Sequence, residues 1–177
     1  KLKACQKILA DRTGFFSAFR GTVSLPVTCM LTLETNPEDK MDRIMSLYSE
    51  LKEQFSASDF LPLIAVLLAD RVPGDDAERF ITRGKEIYKL MKKEHPFLTG
   101  SEDSVFAVLL AFSNKSNEQL ISEMEQIFAE LKDDGFNKDS TQTVSHIFAL
   151  SEGDYLEKCA KLGKMIELIK LRGRKYG

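Results

Sequence analysis

The chain has little of what many enzymes and secreted proteins depend on. Its 177 residues include no tryptophan, two histidines and three cysteines. Two histidines without a His-x-x-x-His or Glu-x-x-His spacing argue against a catalytic zinc or di-iron site, so we expect no metal and no other cofactor. We expect His95, which precedes Pro96, to be an exposed loop residue. Three distant cysteines without a Cys-x-x-Cys pair indicate reduced thiols with a structural role.

Sequence signatures of common catalytic sites are also missing. The chain contains no Gly-x-x-x-x-Gly-Lys, Gly-x-Gly-x-x-Gly or Gly-x-Ser-x-Gly motif, and residues 132–137 offer too few oxygen ligands for a calcium loop. We assign no catalytic residue. These absences favour a protein that is not an enzyme, without excluding an enzyme of an unrecognised type.

Long apolar runs and a strong charge of one sign are absent as well. The longest apolar run is about half of what a membrane-spanning helix needs, and residues 1–6 lack a signal-peptide core. The net charge is −2, and basic residues are in excess only in 1–40 and 154–177. A nucleic-acid module would concentrate positive charge on a folded face. We therefore expect neither a membrane nor a nucleic acid as partner, and a cytoplasmic location. Because residue 1 already lies in a helical pattern, we expect the C-terminal part of a longer protein.

What the chain does have is a repeat of about 40 residues. One stripe of apolar residues with helical spacing recurs at this interval along the chain. Its members are Ile44, Leu47 and Leu51; Phe80, Gly84, Ile87 and Met91; Leu120, Met124, Ile127 and Leu131; and Leu168 and Leu171. Four segments in one register predict repeated amphipathic helices.

Each amphipathic segment alternates with a more apolar one, at 25–31, 60–70, 105–112 and 144–150. Such runs are typical of buried strands or helices, but their alanines and the Ser or Asp before them favour helices. We predict nine helices, at 1–12, 22–34, 37–54, 59–71, 76–94, 103–113, 117–134, 139–151 and 154–172. Paired as hairpins, they give an all-α, α-solenoid-like array that forms a single domain over residues 1–177. The apolar helices would form an inner layer enclosed by its neighbours.

The fourth apolar segment breaks the pattern and holds the candidate site. Polar residues replace apolar ones there, and Gln142, Ser145 and His146 share a helix face. One interpretation is a groove in which these residues contact a ligand or partner, with His146 as an acid/base or hydrogen-bond donor. The other, which we favour, is the solvent-facing side of a terminal repeat. Ser145 and His146 are not a nucleophile–base pair, because adjacent helical residues point in different directions.

The pattern Gln142-x-x-Ser145-His146-Ile147-x-Ala149-Leu150, after Leu131-Lys132-x-x-Gly135-Phe136, resembles an uncharacterised family of bacterial all-helical proteins. The phrase Leu67-Leu68-Ala69 with the following helix at Phe80 is similar to it too. That family is known only as a domain of unknown function. The resemblance implies a cytoplasmic bacterial protein with additional N-terminal sequence, and it provides no catalytic residues.

For function we keep two main hypotheses. The first is a non-enzymatic scaffold that binds a protein or peptide partner on the surface of successive repeats. The second is a small-molecule binding protein or an unrecognised enzyme with a pocket near Gln142, Ser145 and His146. A weaker third hypothesis is that the segment only supports the rest of a longer protein. The oligomeric state is left open.

Overall fold

The computed structural model describes residues 1–15, 17–74, 76–132 and 137–172. In these residues it contains nine α-helices, one short 3-10 helix (Ala18–Arg20) and no strand. The α-helices are α1 (Leu2–Arg12), α2 (Ser24–Leu31), α3 (Pro37–Gln54), α4 (Leu61–Arg71), α5 (Ala77–Glu94), α6 (Asp103–Leu110), α7 (Asn117–Leu131), α8 (Lys138–Leu150) and α9 (Tyr155–Leu171). The prediction of an all-α fold with helices in these places is confirmed.

Several helices begin where side-chain oxygens can cap them. The Asn36 side chain accepts a hydrogen bond from the Asp39 backbone N–H, directly before Pro37 in the first turn of α3. Ser116 and Gln119 form a reciprocal capping box at the start of α7. By contrast, α4 has no capping side chain, because Phe60 occupies its N-cap position. Residues 133 and 134, the last two of the helix predicted at 117–134, lie outside the described residues.

The helices pack in two layers. Each of the pairs α1/α2, α3/α4, α5/α6 and α7/α8 forms a hairpin, and α1, α3, α5, α7 and α9 also pack against one another in this order. In the same way α4 packs against α6, and α6 against α8. Short connections between packed helices make neighbours antiparallel, so helices of one layer run in the same direction. We call α1, α3, α5, α7 and α9 the odd layer, and α2, α4, α6 and α8 the even layer.

Aromatic contacts between consecutive hairpins recur in the register of the sequence repeat. The Phe19 and Phe55 rings pack edge-on against Tyr48 and Tyr88, with centroid distances of 4.9 and 5.9 Å. The His95 ring lies 4.5 Å from that of Phe128. Tyr48, Tyr88 and Phe128 are 40 residues apart, as are Phe55 and His95. The 40-residue repeat itself stays a prediction, and these contacts agree with it.

In a second set of recurring contacts, side chains of the odd helices bind the carbonyl groups that follow the even helices. Arg43 donates to the carbonyl oxygens of Val72 and Gly74, which follow α4. Arg83, 40 residues later, donates to the carbonyls of Ala111, Ser113 and Lys115 after α6. The next position is Glu123, whose carboxylate instead binds two lysines, Lys115 and Lys158. Lys115 then donates to the Ala149 carbonyl and Lys158 to those of Phe148 and Ser151.

The apolar core is uneven along the stack. One large cluster joins buried residues of α1 to α5 and reaches Val108 of α6. A smaller cluster lies between α5, α6, α7 and α8, and a third has Ile127, Leu131 and Cys159 as its buried members among the described residues. Within the part of the chain that the structure describes, the apolar clusters therefore become smaller towards the C-terminal end.

The expectation that the even layer is enclosed on all sides is wrong. The odd layer covers one side of it, but on the other side apolar side chains such as Leu25 and Ile147 remain accessible. The reason is geometric, since nothing in the described residues forms a third layer over these helices.

Candidate functional site

The three predicted site residues lie inside the protein. Gln142, Ser145 and His146 are only 3, 2 and 2% exposed. The favoured interpretation of Gln142, Ser145 and His146 as a solvent-facing side of α8 is therefore wrong, because these three residues point inwards while Ile147 and Leu150 point outwards. That they contact a ligand or partner stays a prediction, although such contact would require α8 to separate from its neighbours.

Polar groups at the start of α6 account for this burial. The Gln142 side-chain N–H₂ donates to the Thr99 hydroxyl (3.1 Å), and that hydroxyl donates to the Met91 carbonyl (3.2 Å). The His146 Nδ1 atom lies 3.3 Å from the Asp103 carboxylate, which is itself 4% exposed and accepts the Gly100 backbone N–H. Buried polar groups need such partners. Sequence reasoning missed Thr99 and Asp103, because both lie in the polar stretch 99–104, where polar residues are expected.

The chemistry available to this cluster is restricted. His146 Nδ1 is close enough to Asp103 for an electrostatic contact but is not in hydrogen-bond geometry, and Gln142 Oε1 has no partner in the described residues. The Ser145 hydroxyl donates to the carbonyl of Gln142, one turn earlier, at 2.8 Å. It therefore does not point towards His146, and no activated nucleophile results. The arrangement is that of a polar helix–helix contact.

Neighbouring aromatic groups extend this cluster towards α5. The Tyr88 hydroxyl donates to the Gly100 carbonyl at 3.1 Å. Burial raises the pKa of Tyr88, and the carboxylates of Asp103 and Glu102 raise it further. The Phe106 ring lies 5.4 Å from that of His146. These contacts surround the histidine with packed side chains rather than with a pocket.

The cluster occupies positions that are apolar in the other even helices. Ser145 and His146 correspond to Ala107 and Val108 in α6 and to Ala65 and Val66 in α4, and all six are buried. The matching positions of the three helices are therefore buried alike, while the side-chain chemistry changes in α8.

The opposite side of the even layer is a better candidate for contacts with other molecules. On each even helix two side chains one turn apart remain at least partly accessible, and together we call them the even face. They are Leu25 and Cys29, Leu63 and Leu67, Val105 and Leu109, and Thr143 and Ile147. None of them is charged. Leu25 and Ile147 are the most open apolar members, at 60 and 47% exposure.

The expectation of an exposed loop histidine at position 95 is wrong. The His95 Nε2 atom lies 2.8 Å from the Glu125 carboxylate, and its ring packs on Phe128. Since His95 ends α5 while Glu125 and Phe128 belong to α7, it joins two helices of the odd layer.

No described helix is both long and apolar enough to cross a membrane. Among the residues that the structure describes, no group of three or more His, Cys, Asp or Glu side chains has a geometry that could hold a metal ion.

The sequence of the chain matches one protein family, "Protein of unknown function (DUF4003)", over residues 1–177. The chain belongs to the DUF4003 family. It is 27% identical over 147 residues to the "Uncharacterized protein YeaA" of Bacillus subtilis (strain 168), a match that covers 80% of this chain. The chain spans 44% of the length of that relative. No solved structure matches the chain. The resemblance to an uncharacterised domain family is thus confirmed.

Proposed function

We propose that this DUF4003 chain is a helical-repeat scaffold that binds a protein or peptide partner, rather than an enzyme. The even face carries the proposal: its four helices present uncharged, mostly apolar side chains to solvent, and α4, α6 and α8 pack side by side. Soluble proteins rarely expose a large apolar surface without a binding role. Parallel helices at a regular spacing are also the surface on which helical-repeat proteins bind extended or helical segments.

Two exposed aromatic residues also support a protein partner. Phe60 is half exposed at the start of α4, and Phe97 is fully exposed in the connection between α5 and α6. Because the hairpins run in the same direction, the connections before α4 and before α6 lie at the same end of the stack. Exposed phenylalanines are side chains that contribute strongly to binding energy when a partner buries them. We place the interaction in the cytoplasm, since an odd number of cysteines suits a reducing compartment.

A pocket near Gln142, Ser145 and His146 receives less support. Their side chains are buried and engaged in the α6–α8 contact, with Thr99 and Asp103 on the other side. A small molecule would have to replace these contacts. The even face needs no such rearrangement, so it is the surface to test first.

The test compares two double variants of the chain in affinity capture from lysate, followed by binding measurements with the purified partner. Leu25→Lys/Ile147→Lys places two charges on the even face. Leu2→Lys/Leu33→Lys is the matched control at two other exposed leucines. We expect the even-face variant to bind at least tenfold more weakly, because each lysine must be desolvated against an apolar partner surface. The control should bind like the wild type.

Circular dichroism and thermal unfolding establish that both variants are folded. The scaffold proposal fails if every captured protein binds the even-face variant as well as the wild type. It also fails if only a small molecule stabilises the chain and its binding depends on Gln142 or His146.

A further inference from the structure

A row of lysines on α5 has no carboxylate partner. Lys85, Lys89 and Lys92 follow one another at helical spacing, so they share one side of the helix. Lys89 and Lys92 are exposed, and Lys85 is partly buried. None of the three forms an ion pair with a residue that the structure describes. We call these three residues the lysine row.

Neutral groups hold Lys85 in place. Its ammonium group donates to the carbonyl of Gln54, the last residue of α3. The Nζ atom also lies 5.2 Å from the centroid of the Phe55 ring and 6.0 Å from that of the Tyr88 ring. These two rings pack edge-on against each other, so the ammonium group rests on a fixed surface. A cation that is already positioned and partly desolvated loses less entropy on binding an anion, and attracts it more strongly, than a freely moving surface lysine.

The pKa of Lys85 shows that the positive charge of the row is not balanced. Burial lowers this pKa, and the charges of Lys89 and Lys92 lower it further. Lys40 is also partly buried and behaves in the opposite way. Burial alone would lower its pKa, but hydrogen bonds to Asp70 and Glu34 raise it overall. The lysine row thus lacks the anionic groups that Lys40 has within the fold.

Acidic side chains border the lysine row on both sides. Glu86, on the same helix, accepts a hydrogen bond from the Asn117 side chain of α7 at 3.2 Å. Glu50, Glu53 and Glu78 line the groove between α3 and the first part of α5. The neighbouring helix α7 has four acidic side chains and no basic one. The positive surface is therefore narrow. A long polyanion such as a nucleic acid would meet these carboxylates, whereas a short acidic segment can lie on the row alone.

We propose that the lysine row of α5 binds a short acidic segment of a protein partner. Carboxylates one turn apart on a partner helix would lie beside Lys85, Lys89 and Lys92, with Lys85 as the fixed member of the row. The proposal goes beyond the scaffold function and does not depend on it, because the row lies on the odd layer and the even face on other helices.

The test uses two synthetic fluorescent peptides of the same length and helical design. One peptide has glutamates at positions one turn apart, and the other has glutamines there. We expect the full chain to bind the glutamate peptide at least tenfold more tightly at about 50 mM NaCl, with the difference reduced at about 300 mM. Fluorescence anisotropy measures both affinities. A single-stranded DNA oligonucleotide and vesicles of phosphatidylserine and phosphatidylcholine are tested in parallel and should bind more weakly than the glutamate peptide.

Variants of the lysine row locate the binding. Lys89→Glu/Lys92→Glu should weaken binding of the glutamate peptide about tenfold or more. Lys3→Glu/Lys164→Glu is the matched control, which changes the net charge equally on α1 and α9 and should have little effect. Lys85→Met keeps an unbranched stem on the two aromatic rings but removes the charge, and should weaken binding about threefold or more, whereas Lys85→Arg should retain it. Circular dichroism verifies that each variant is folded.

Four outcomes would overturn the proposal. These are equal binding of the two peptides, an unchanged affinity in either Lys89→Glu/Lys92→Glu or Lys85→Met, an equal loss in the Lys3→Glu/Lys164→Glu control, and tighter binding of the oligonucleotide or the vesicles than of the glutamate peptide. Each leaves the even-face proposal intact. Conversely, the Leu25→Lys/Ile147→Lys variant should bind the glutamate peptide like the wild type, so the two proposals can fail separately.

Discussion

The even layer has two helix–helix contacts, α4 with α6 and α6 with α8. They use matching positions but differ in chemistry. In α4 and α6 the buried positions hold Ala65, Val66, Ala107 and Val108, and Val66 and Val108 belong to the large N-terminal cluster. In α8 the matching positions hold Ser145 and His146, and His146 faces the buried Asp103 at the start of α6. An apolar contact between helices tolerates substitutions by residues of similar volume. A polar contact requires a hydrogen-bonding or charged partner on both helices.

The comparison also extends to the odd layer. Arg43 and Arg83, which are 40 residues apart, bind directly to the carbonyl groups that follow the even helices. The third position, Glu123, does so through Lys115 and Lys158. In the C-terminal part of the stack paired charges hold these carbonyls, whereas in the N-terminal part single arginines hold them beside the ion pairs of Lys40 with Glu34 and Asp70. Paired groups are sensitive to the loss of either member.

The largest effect on stability is expected at the polar contact between α6 and α8. His146→Val gives α8 the residue type found at Val66 and Val108, but it leaves Asp103 buried without its polar neighbour. We expect a decrease of about 2–4 kcal/mol in the free energy of unfolding. Urea unfolding followed by circular dichroism measures it.

A double-mutant cycle with Asp103→Asn shows whether the two residues act together. The double variant should lose less stability than the sum of the single variants by about 1 kcal/mol or more. Additive losses would show that the His146–Asp103 contact does not contribute to stability. The contrast between the α4–α6 and α6–α8 contacts would then lose its basis.

A smaller effect is expected at the hairpin between α5 and α6. Gly84 lies where α3 and α7 have Ile44 and Met124, and a Cβ atom there would come within 2.7 Å of Val108 Cγ2 and 3.1 Å of its Cα. Gly84→Ala should therefore lower the free energy of unfolding by about 1–3 kcal/mol, despite the higher helix propensity of alanine.

Gly163 provides the control within the same chain. It lies in α9, and a Cβ atom added there would have nothing within 4 Å. Gly163→Ala should therefore raise the free energy of unfolding by about 0.5–1 kcal/mol through helix propensity alone. If both variants shifted stability in the same direction, close packing would not explain the glycine at position 84.

Sequence reasoning worked best for the amphipathic helices. Residues 37–54 were the predicted bounds of α3, and the structure agrees, because a helical apolar period and an Asn-Pro start both mark it. The short apolar helices were less exact. α6 ends at Leu110 rather than at 113, since a continuous apolar run contains no signal for its end.

The sequence marked the candidate site as a break in the apolar pattern. It did not show whether the side chains of the site point to solvent or into the protein. A polar residue on an apolar helix can face solvent or a buried partner, and the helix alone does not distinguish them. The partners Thr99 and Asp103 lie about 40 residues earlier, in a connection and a first helical turn. Both lie in the polar stretch 99–104, so nothing in the sequence marked them as partners. For His95 the partner likewise belongs to another helix, so its loop sequence gave no indication of Glu125.

The smallest effect is expected from an exposed ion pair in the N-terminal part. The hydrogen bonds from the Arg12 guanidinium lower the pKa of Asp42 below its ordinary value of 3.8, and the charge of Arg12 contributes further. A carboxyl group with a lowered pKa in the folded state stabilises the fold above its ordinary pKa, and this contribution disappears as the pH falls through the lowered value. Because the pair is exposed, we expect Asp42→Asn to lower Tm only slightly at pH 7. Thermal unfolding at a series of pH values should show this difference shrinking below pH 3.8 and vanishing when Asp42 is protonated in both states.

A difference that persisted in strong acid would mean that Asp42 stabilises the α1–α3 contact by packing rather than by charge. The N-terminal part of the stack would then depend on ion pairs even less than its comparison with the C-terminal part implies.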